Sequence, residues 1–124
     1  AIMVLARSSD LKFYERTGDI MDAEVSKRLL ESIFFKNSPM HDGAVIIENN
    51  KIKAARCVLP VTENTDLPAH YGMRHRAALG ITEQSDAISI IVSEETGNIS
   101  MAVDGKMHYN ISPEELEELL TKEQ

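Results

Sequence analysis

The stretch Ser38-Pro39-Met40-His41-Asp42-Gly43-Ala44-Val45-Ile46-Ile47 joins chemically useful residues to a run of apolar β-formers. Pro39 ends any preceding helix, and the residues from Ala44 onward favour a buried strand. A strand that begins at Ala44 places the Asp42 carboxylate just before its first residue. Gly43 beside it leaves room for a ligand to approach the backbone. The stretch predicts a strand whose entrance carries chemistry, and we expect the chain to be organised around Asp42.

The size and charge of the chain narrow the classes of function. Its 124 residues suffice for one domain with one sizeable core. The hydrophobic content of 43% and charged content of 27% are typical of a soluble globular domain. A net charge of -7 argues against a nucleic-acid binder. A small anionic ligand remains compatible with that charge, because it needs only a few cations and some backbone N–H groups.

The single cysteine and the hydropathy pattern give further expectations. Cys57 lies in an apparent strand and is expected to be a buried thiol, since one cysteine forms neither an internal disulfide nor a zinc site. No apolar run reaches the roughly 18 residues of a membrane-spanning helix, and no signal peptide is present. The chain begins directly in an apolar strand pattern, so we expect it to be a segment of a longer protein.

The first half of the chain is predicted from apolar runs and cap residues. Residues 2–6 form a continuous apolar run and predict a strand covered on both faces. Residues 11–16 predict either a second short strand or an irregular segment that leads the chain back. Asp19 or Asp22 is expected to cap a helix running to about Phe35, because apolar residues recur there at helical spacing.

The second half is predicted from turn and capping motifs. Asn49-Asn50 and Asp104-Gly105 are turn signals. Ser112-Pro113-Glu114-Glu115 reads as a capping box that opens the last helix. Gly80 inside a helix predicts a close packing contact. The expected order β-β-α-β-β-α-β-β-β-α indicates an α/β (α+β) fold with one mixed sheet flanked by helices. The further strands and helices are expected at 44–48, 52–59, 73–84, 87–93, 99–103 and 106–110.

The segment Arg74-His75-Arg76 is the densest cationic cluster in this acidic chain. It follows Gly72 and opens a predicted helix. Two guanidinium groups and the free N–H groups of a helix start suit a phosphate group. The alternative is a pair of surface salt bridges. Cations at a helix N-terminus oppose the helix dipole, which favours an anionic ligand as the missing partner.

Carboxylates and a histidine at strand ends are candidates for metal binding or proton transfer. Asp42 can be a metal ligand, a base for a hydroxyl proton or an ordinary turn residue. His41 is either a surface histidine or a ligand beside it. Glu94-Glu95 can complete a Mg²⁺ or Mn²⁺ site or form a polar hairpin tip. The chain contains no Walker A, dinucleotide-binding or nucleophile-elbow sequence.

Two segments together resemble the motifs of a known enzyme family. Met40-His41-Asp42-Gly43-Ala44 and Gly72-Met73-Arg74-His75-Arg76 are similar to the Asp-Gly-Ala and Arg-His-Arg motifs of diadenylate cyclases. These enzymes condense two ATP molecules into cyclic di-AMP and release two pyrophosphates. The resemblance covers almost the whole chain. Arg-His-Arg followed by residues 77–80, and the turn at residues 93–97, resemble the membrane-anchored CdaA-type subclass more than the DNA-scanning DisA-type.

The resemblance implies a role for each matching residue. Asp42 would assist the ribose 3′-hydroxyl as it attacks the α-phosphate of the other ATP. A divalent ion, Mn²⁺ or Mg²⁺ with Co²⁺ as a third candidate, would be held by His41, Asp42 and Glu95. The implied catalytic set is Asp42, Gly43, Arg74, His75 and Arg76. The implied nucleotide-binding set is Gly43, Ala44, Val58, Leu59, Pro60, Gly72, Met73, Arg74, Ser93 and Glu95.

The resemblance also implies an assembly and a cellular location. Each domain would hold one ATP, so the active unit would be a homodimer of facing domains. Membrane attachment at the cytoplasmic face would come through a segment absent from this chain, and regulatory protein partners are compatible with that location. Val58 stands where many relatives carry an aromatic residue, and Met73 stands where Thr is common. We expect residues 1–124 to form a single catalytic domain.

Two alternatives differ from the enzyme in class. The same fold can hold a nucleotide as a sensor without turnover, although Asp42 and both arginines favour the enzyme. A purely structural interaction domain is the third reading. It leaves the cations at a helix start unexplained.

Overall fold

A computed structural model describes residues 1–35, 42–64, 67–68, 72–93 and 96–122. These residues form one mixed sheet of seven strands, in the order β2-β4-β3-β1-β5-β6-β7, with four helices. The predicted fold class is therefore confirmed. In chain order the elements are β1 (Ile2–Leu5), α1 (Lys12–Glu15), β2 (Asp19–Glu24), α2 (Lys27–Phe34), β3 (Ala44–Glu48), β4 (Lys51–Cys57), α3 (Met73–Gln84), β5 (Ile88–Val92), β6 (Ile99–Val103), β7 (Lys106–Ile111) and α4 (Pro113–Lys122).

The central strand β1 explains why the sheet is mixed. It pairs in parallel with β3 and antiparallel with β5. Its residues are alternately buried and half-buried, so both faces are covered, as the continuous apolar run predicts, although one face is covered more completely. One face of the sheet packs against α1 and α3, with Ile46 and Ile81 in the shared core. The opposite face packs against α2 at one end and α4 at the other.

Residues 11–16 and 19–24 do not form the elements predicted from the sequence. Residues 12–15 form the single helical turn α1 instead of a strand, because buried Leu11 accepts backbone hydrogen bonds from Tyr14 and Glu15. Residues 19–24 form the edge strand β2, which pairs with β4, rather than the start of a helix. Neither Asp19 nor Asp22 caps a helix.

Helix α2 begins later than predicted, at Lys27, with Ser26 as its N-cap. The Ser26 hydroxyl accepts a hydrogen bond from the Leu29 amide at 3.1 Å, which is the usual N-cap interaction. Asp22 instead lies at a register shift in β2 with a φ of 54°. The sequence analysis named only Asp19 and Asp22 as cap candidates, and the pairing of β2 with β4 removes both of them from the helix.

The predicted turns and the capping box are confirmed. Asn49 and Asn50 both have positive φ, at 52° and 62°, as do Asp104 and Gly105, at 51° and 74°. The Glu115 amide donates to the Ser112 hydroxyl at 3.1 Å, and the Ser112 amide donates to the Glu115 carboxylate at 3.4 Å. These local motifs fix the two hairpins and the start of α4.

No helix in the described ranges is both long enough and apolar enough to cross a membrane.

Within the described part of the chain, Ser89 carries a buried side-chain oxygen without a hydrogen-bond partner. It is the second residue of β5 and is completely buried. Ser100 in the next strand is also buried, but its hydroxyl accepts from the Asn110 amide at 3.3 Å. A buried hydroxyl without a partner loses its hydration and gains nothing in return.

We expect Ser89→Ala to leave the free energy of unfolding unchanged or to raise it, because it removes an unsatisfied buried hydroxyl. The matched variant Ser100→Ala should lower that free energy by about 1 kcal/mol, because it leaves the Asn110 amide unpaired. Urea unfolding monitored by circular dichroism measures both values. Equal losses for the two variants would contradict this account of Ser89.

Candidate active site

Two neighbouring cavities meet at the start of α3. The first, called here the apolar cavity, has a volume of about 250 Å³, and the second, called the helix-start cavity, has a volume of about 380 Å³. Met73 and Arg74 line both of them. The apolar cavity is lined by Ile2, Gly43, Ala44, Cys57, Val58, Leu59, Val61, Met73, Arg74 and Ala77. The helix-start cavity is lined by Gly72, Met73, Arg74, His75, Ile91, Val92 and Ser93.

The sheet topology places four strand ends at these cavities. Strands β1 and β3 run in parallel and begin together, with Ile2 paired to Ala44. Strands β4 and β5 run the other way, so Cys57 pairs with Ala44 and Ile91 pairs with Ile2. Both therefore end where β1 and β3 begin. Segments far apart in the sequence thus converge at one edge of the sheet, and the start of α3 lies against it.

A tight backbone contact shapes the floor of the apolar cavity. Arg56 is a bulge residue of β4 with a φ of 59°. A Cβ at Gly43 would lie 2.8 Å from the Arg56 carbonyl carbon and 2.9 Å from its Cα. A Cβ at Gly18 would lie 2.9 Å from the same carbonyl carbon and would overlap the Ala55 carbonyl oxygen. Gly43 is therefore required by the packing of the chain itself, in addition to the ligand access expected from the sequence.

Exposed apolar side chains surround the apolar cavity. Val58, Val61 and Met73 are 66%, 41% and 65% exposed, and they are half of the six large hydrophobic residues exposed in the described part of the chain. Cys57 forms part of the wall, and burial raises the pKa of its thiol to about 12. The thiol is therefore neutral and adds to the apolar surface, as expected of a structural cysteine.

Asp42 and Arg74 stand at the mouth of the apolar cavity. The Arg74 guanidinium lies 3.9 Å from the Asp42 carboxylate, and the two side chains are 41% and 73% exposed. An exposed pair at this distance is weak and leaves both groups accessible to a ligand. The resemblance assigns catalytic roles to both residues, and the fold brings them together from segments more than thirty positions apart.

The helix-start cavity combines cations with backbone donors. Gly72 is the N-cap of α3 and has no side chain to accept from the first turn, which also contains no acidic residue. Ser93 lies across the cavity, where its hydroxyl accepts from the Thr96 amide at 3.3 Å. The positive charge of Arg74 opposes the dipole at this helix start, and the Asp42 carboxylate at 3.9 Å already offsets part of it.

The remaining predicted site residues either fall outside the described part of the chain or line neither cavity. His41 and Glu95 lie outside the described residues, as does Glu94. Pro60 and Arg76 line neither cavity: the Pro60 carbonyl packs against Gly80, and the Arg76 carbonyl accepts from the Thr62 amide at 3.0 Å. The contact at Gly80 confirms the close approach predicted there. Within the described ranges, no three His, Cys, Asp or Glu side chains are grouped to hold a metal ion.

Four residues of the apolar cavity were not predicted from the sequence. They are Ile2, Cys57, Val61 and Ala77. Cys57, Val61 and Ala77 each adjoin a predicted residue, and Ile2 pairs with the predicted Ala44. Ile2 and Cys57 were interpreted only as buried strand residues. The pairing register of β1, β3 and β4, and the packing of α3 against them, were the missing information.

The arrangement defines a small α/β domain with an apolar slot beside a cationic helix start. Residues 1–107 match the family described as DisA bacterial checkpoint controller nucleotide-binding (DAC), and the chain belongs to this family. It is 46% identical over 123 residues to the cyclic di-AMP synthase CdaA of Bacillus subtilis strain 168. It is also 46% identical over 123 residues to the diadenylate cyclase of Listeria monocytogenes serotype 1/2a strain 10403S. Each alignment covers 99% of this chain and 45% of the relative, so the chain spans less than half the length of these curated relatives.

Solved structures show the same fold. A double mutant of DacA from Staphylococcus aureus superposes with a TM-score of 0.95 at 46% identity, over 99% of this chain and 82% of that one. A hypothetical membrane spanning protein from Bacillus cereus superposes with a TM-score of 0.85 at 45% identity, over 90% of this chain and 54% of that one. The mixed sheet and its flanking helices are thus shared with these proteins.

We expect Gly43→Ala to destabilise the protein more than Gly97→Ala, although the two glycines have nearly equal φ values of 78° and 75°. A Cβ at Gly97 meets nothing within 4 Å, so that variant carries only the backbone cost of about 1–2 kcal/mol. Gly43→Ala should lose a further ~1–3 kcal/mol, because the new methyl group presses on Arg56. Chemical unfolding of the two variants measures the difference. Equal losses in the free energy of unfolding would show that the contact with Arg56 adds nothing to the cost of Gly43→Ala.

Proposed function

We propose that this chain is the catalytic domain of a diadenylate cyclase, which condenses two ATP molecules into cyclic di-AMP with release of two pyrophosphates. The observation that carries the proposal is the pair of cavities that share Met73 and Arg74, with Asp42 at their mouth. The names of relatives at 46% identity support the same activity. Residues 1–124 are proposed to act as one domain.

The apolar cavity is proposed to hold the adenine base. Its walls are almost entirely apolar, and Val58 and Met73 lose exposed surface when a flat base enters. Removal of that surface from water favours binding. Val58 provides no aromatic platform, so stacking is replaced by contact with aliphatic and thioether groups, of which Met73 is the more polarisable.

The helix-start cavity is proposed to hold the phosphates. Arg74 offers forked donors, and the first turn of α3, where a helix carries partial positive charge, lines the same space. His75 and Ser93 supply further polar groups at its edge. Arg76 is proposed to contribute through the same positive field, although its side chain lines neither cavity.

Asp42 is proposed to take the proton from the ribose 3′-hydroxyl. The 3′-oxygen then forms a bond to the α-phosphorus of the other ATP, and the bond between that phosphorus and the pyrophosphate oxygen breaks. The same exchange at the second junction closes the ring. Arg74, 3.9 Å from Asp42, is placed to stabilise the charge on the phosphate under attack.

The described residues fit a divalent metal held in part by substrate. Asp42 offers one exposed hard oxygen ligand at the mouth of the phosphate region. Mg²⁺ and Mn²⁺ are commonly bound by one or two carboxylates together with phosphate oxygens, and such an ion would polarise the phosphate when bound. His41 and Glu95 are proposed as the other protein ligands, and the choice among Mn²⁺, Mg²⁺ and Co²⁺ is part of the proposal.

Two chains are proposed to face each other in the active unit. The Asp42 side chain is 73% exposed, so it can reach a nucleotide held by a second chain. Two facing domains hold the two ATP molecules in line and remove the cost of orienting them. In the longer protein the domain is proposed to lie at the cytoplasmic face of the membrane. The similar Bacillus cereus protein described as membrane spanning supports attachment to a membrane.

Incubation of the protein with ATP and either Mn²⁺ or Mg²⁺ tests the activity directly. We expect cyclic di-AMP and pyrophosphate in a ratio of one to two, measured by liquid chromatography with mass detection. ATP binding without product under either metal would overturn the enzyme and favour the nucleotide sensor. Absence of both binding and product would remove both functions.

We expect Asp42→Asn to lower turnover by about 10²–10⁴-fold, because the amide cannot accept the hydroxyl proton. ATP binding should be largely retained, and calorimetric titration measures it. Asp104→Asn is the matched control, because Asp104 also precedes a glycine in a turn and lies outside both cavities. It should leave turnover unchanged. Activity that survives Asp42→Asn would exclude Asp42 as the proton acceptor.

A further inference from the structure

One wall of the apolar cavity lies beyond the end of the sheet. Strand β4 ends at Cys57, so the next two residues, Val58 and Leu59, are not held by a strand ladder. Both line the apolar cavity, and the Val58 side chain is 66% exposed. A group outside the sheet must therefore hold this wall in place.

Thr17 provides that group. The Val58 amide donates to the Thr17 hydroxyl oxygen at 2.8 Å, and the hydroxyl donates to the Tyr14 carbonyl. A hydroxyl has one proton, so donation to Tyr14 leaves an oxygen lone pair directed at Val58. The Val58 carbonyl lies 3.5 Å from the same hydroxyl and is the weaker acceptor. The Val58 amide therefore donates its hydrogen bond to Thr17 and not to a ligand.

The segment that carries Thr17 is itself anchored at several points. Tyr14 donates through its phenol to the Gln84 side chain, at the far end of α3, at 2.8 Å. Leu11 before it is buried, and Gly18 after it packs against the β4 backbone. Thr17 thus ties the Val58 wall to α3. The same helix carries Met73 and Arg74 on the other side of the cavity.

We propose that Thr17 is a positioning residue for the nucleotide base. It fixes the wall formed by Val58 and Leu59 relative to the start of α3, and so sets the width of the slot that the base enters. The inference rests on the proposed assignment of this cavity to adenine. Thr17 acts on the base and not on the phosphates, because Thr17, Val58 and Leu59 are absent from the lining of the helix-start cavity.

The test uses Thr17→Val, which keeps the shape and removes the hydroxyl, and Thr17→Ser, which restores the hydroxyl. Thr17→Val removes both hydrogen bonds of the hydroxyl, and loss of the one that holds Val58 predicts a rise of about fivefold in the KM for ATP, with kcat within about twofold of the parent. Thr17→Ser should recover the parent KM. The control is Thr121→Val, which removes a hydroxyl bonded to the Glu117 carbonyl in α4 and should change neither constant.

Inorganic triphosphate, which has phosphates but no base, separates positioning from general damage. We expect its inhibition constant to be unchanged in Thr17→Val, while the affinity for ATP falls. An unchanged KM in Thr17→Val, or an equal loss for triphosphate and ATP, would overturn the proposal. A fall in kcat with no change in KM would overturn it as well.

Two further arms keep this test distinct from that of the enzyme activity. If the parent protein binds ATP but makes no cyclic di-AMP, calorimetric affinities for ATP and triphosphate replace KM, and the same selective loss supports Thr17. If the parent binds no ATP, both proposals fall.

If Thr17→Val does not fold, Tyr14→Phe takes its place in the test, because it removes the hydrogen bond to Gln84 that anchors the segment carrying Thr17. It should then raise the KM for ATP selectively, and an unchanged KM would overturn the proposal.

Discussion

The backbone of Arg56, pressed between two glycines, is the constraint on which the rest of the site depends. Gly18 approaches it from the β2 side and Gly43 from the β3 side, and neither position has room for a Cβ. The left-handed conformation of Arg56 adds one residue to β4 and shifts its register against β3. Strand β4 therefore ends beside Ala44, and the chain turns outward at Val58. The cavity wall and the position of Asp42 both follow from this arrangement.

The charge distribution supports the proposal that the site binds an anion. The chain has a net charge of -7, yet its helix α3 begins with cations and no acidic residue in the first turn. Such a helix start is unfavourable by itself, because the cations oppose the helix dipole. A triphosphate would relieve that conflict. A base bound beside Val58, Val61 and Met73 would remove their exposed apolar surface from water. One ligand with both parts satisfies both features.

Local motifs were predictable from the sequence, whereas long-range pairing was not. The Asn49-Asn50 turn and the Ser112 capping box depend on a few adjacent residues and appear as expected. Residues 19–24 were misread because their conformation depends on pairing with β4, which no local pattern records. The same limit applies to the site. Asp42, Gly43 and Arg74 belong to motifs, but Thr17 acts through one hydrogen bond to a residue 41 positions away.

The central claim is that one chain supplies half of a reaction centre and that two chains must meet. The dependence of specific activity on protein concentration tests it most directly. We predict that activity per chain, at saturating ATP and metal, falls in proportion to concentration once the protein is diluted below the dissociation constant of its dimer, with the monomer fraction measured by analytical ultracentrifugation. A specific activity that stays constant while the protein is shown to be monomeric would contradict the claim.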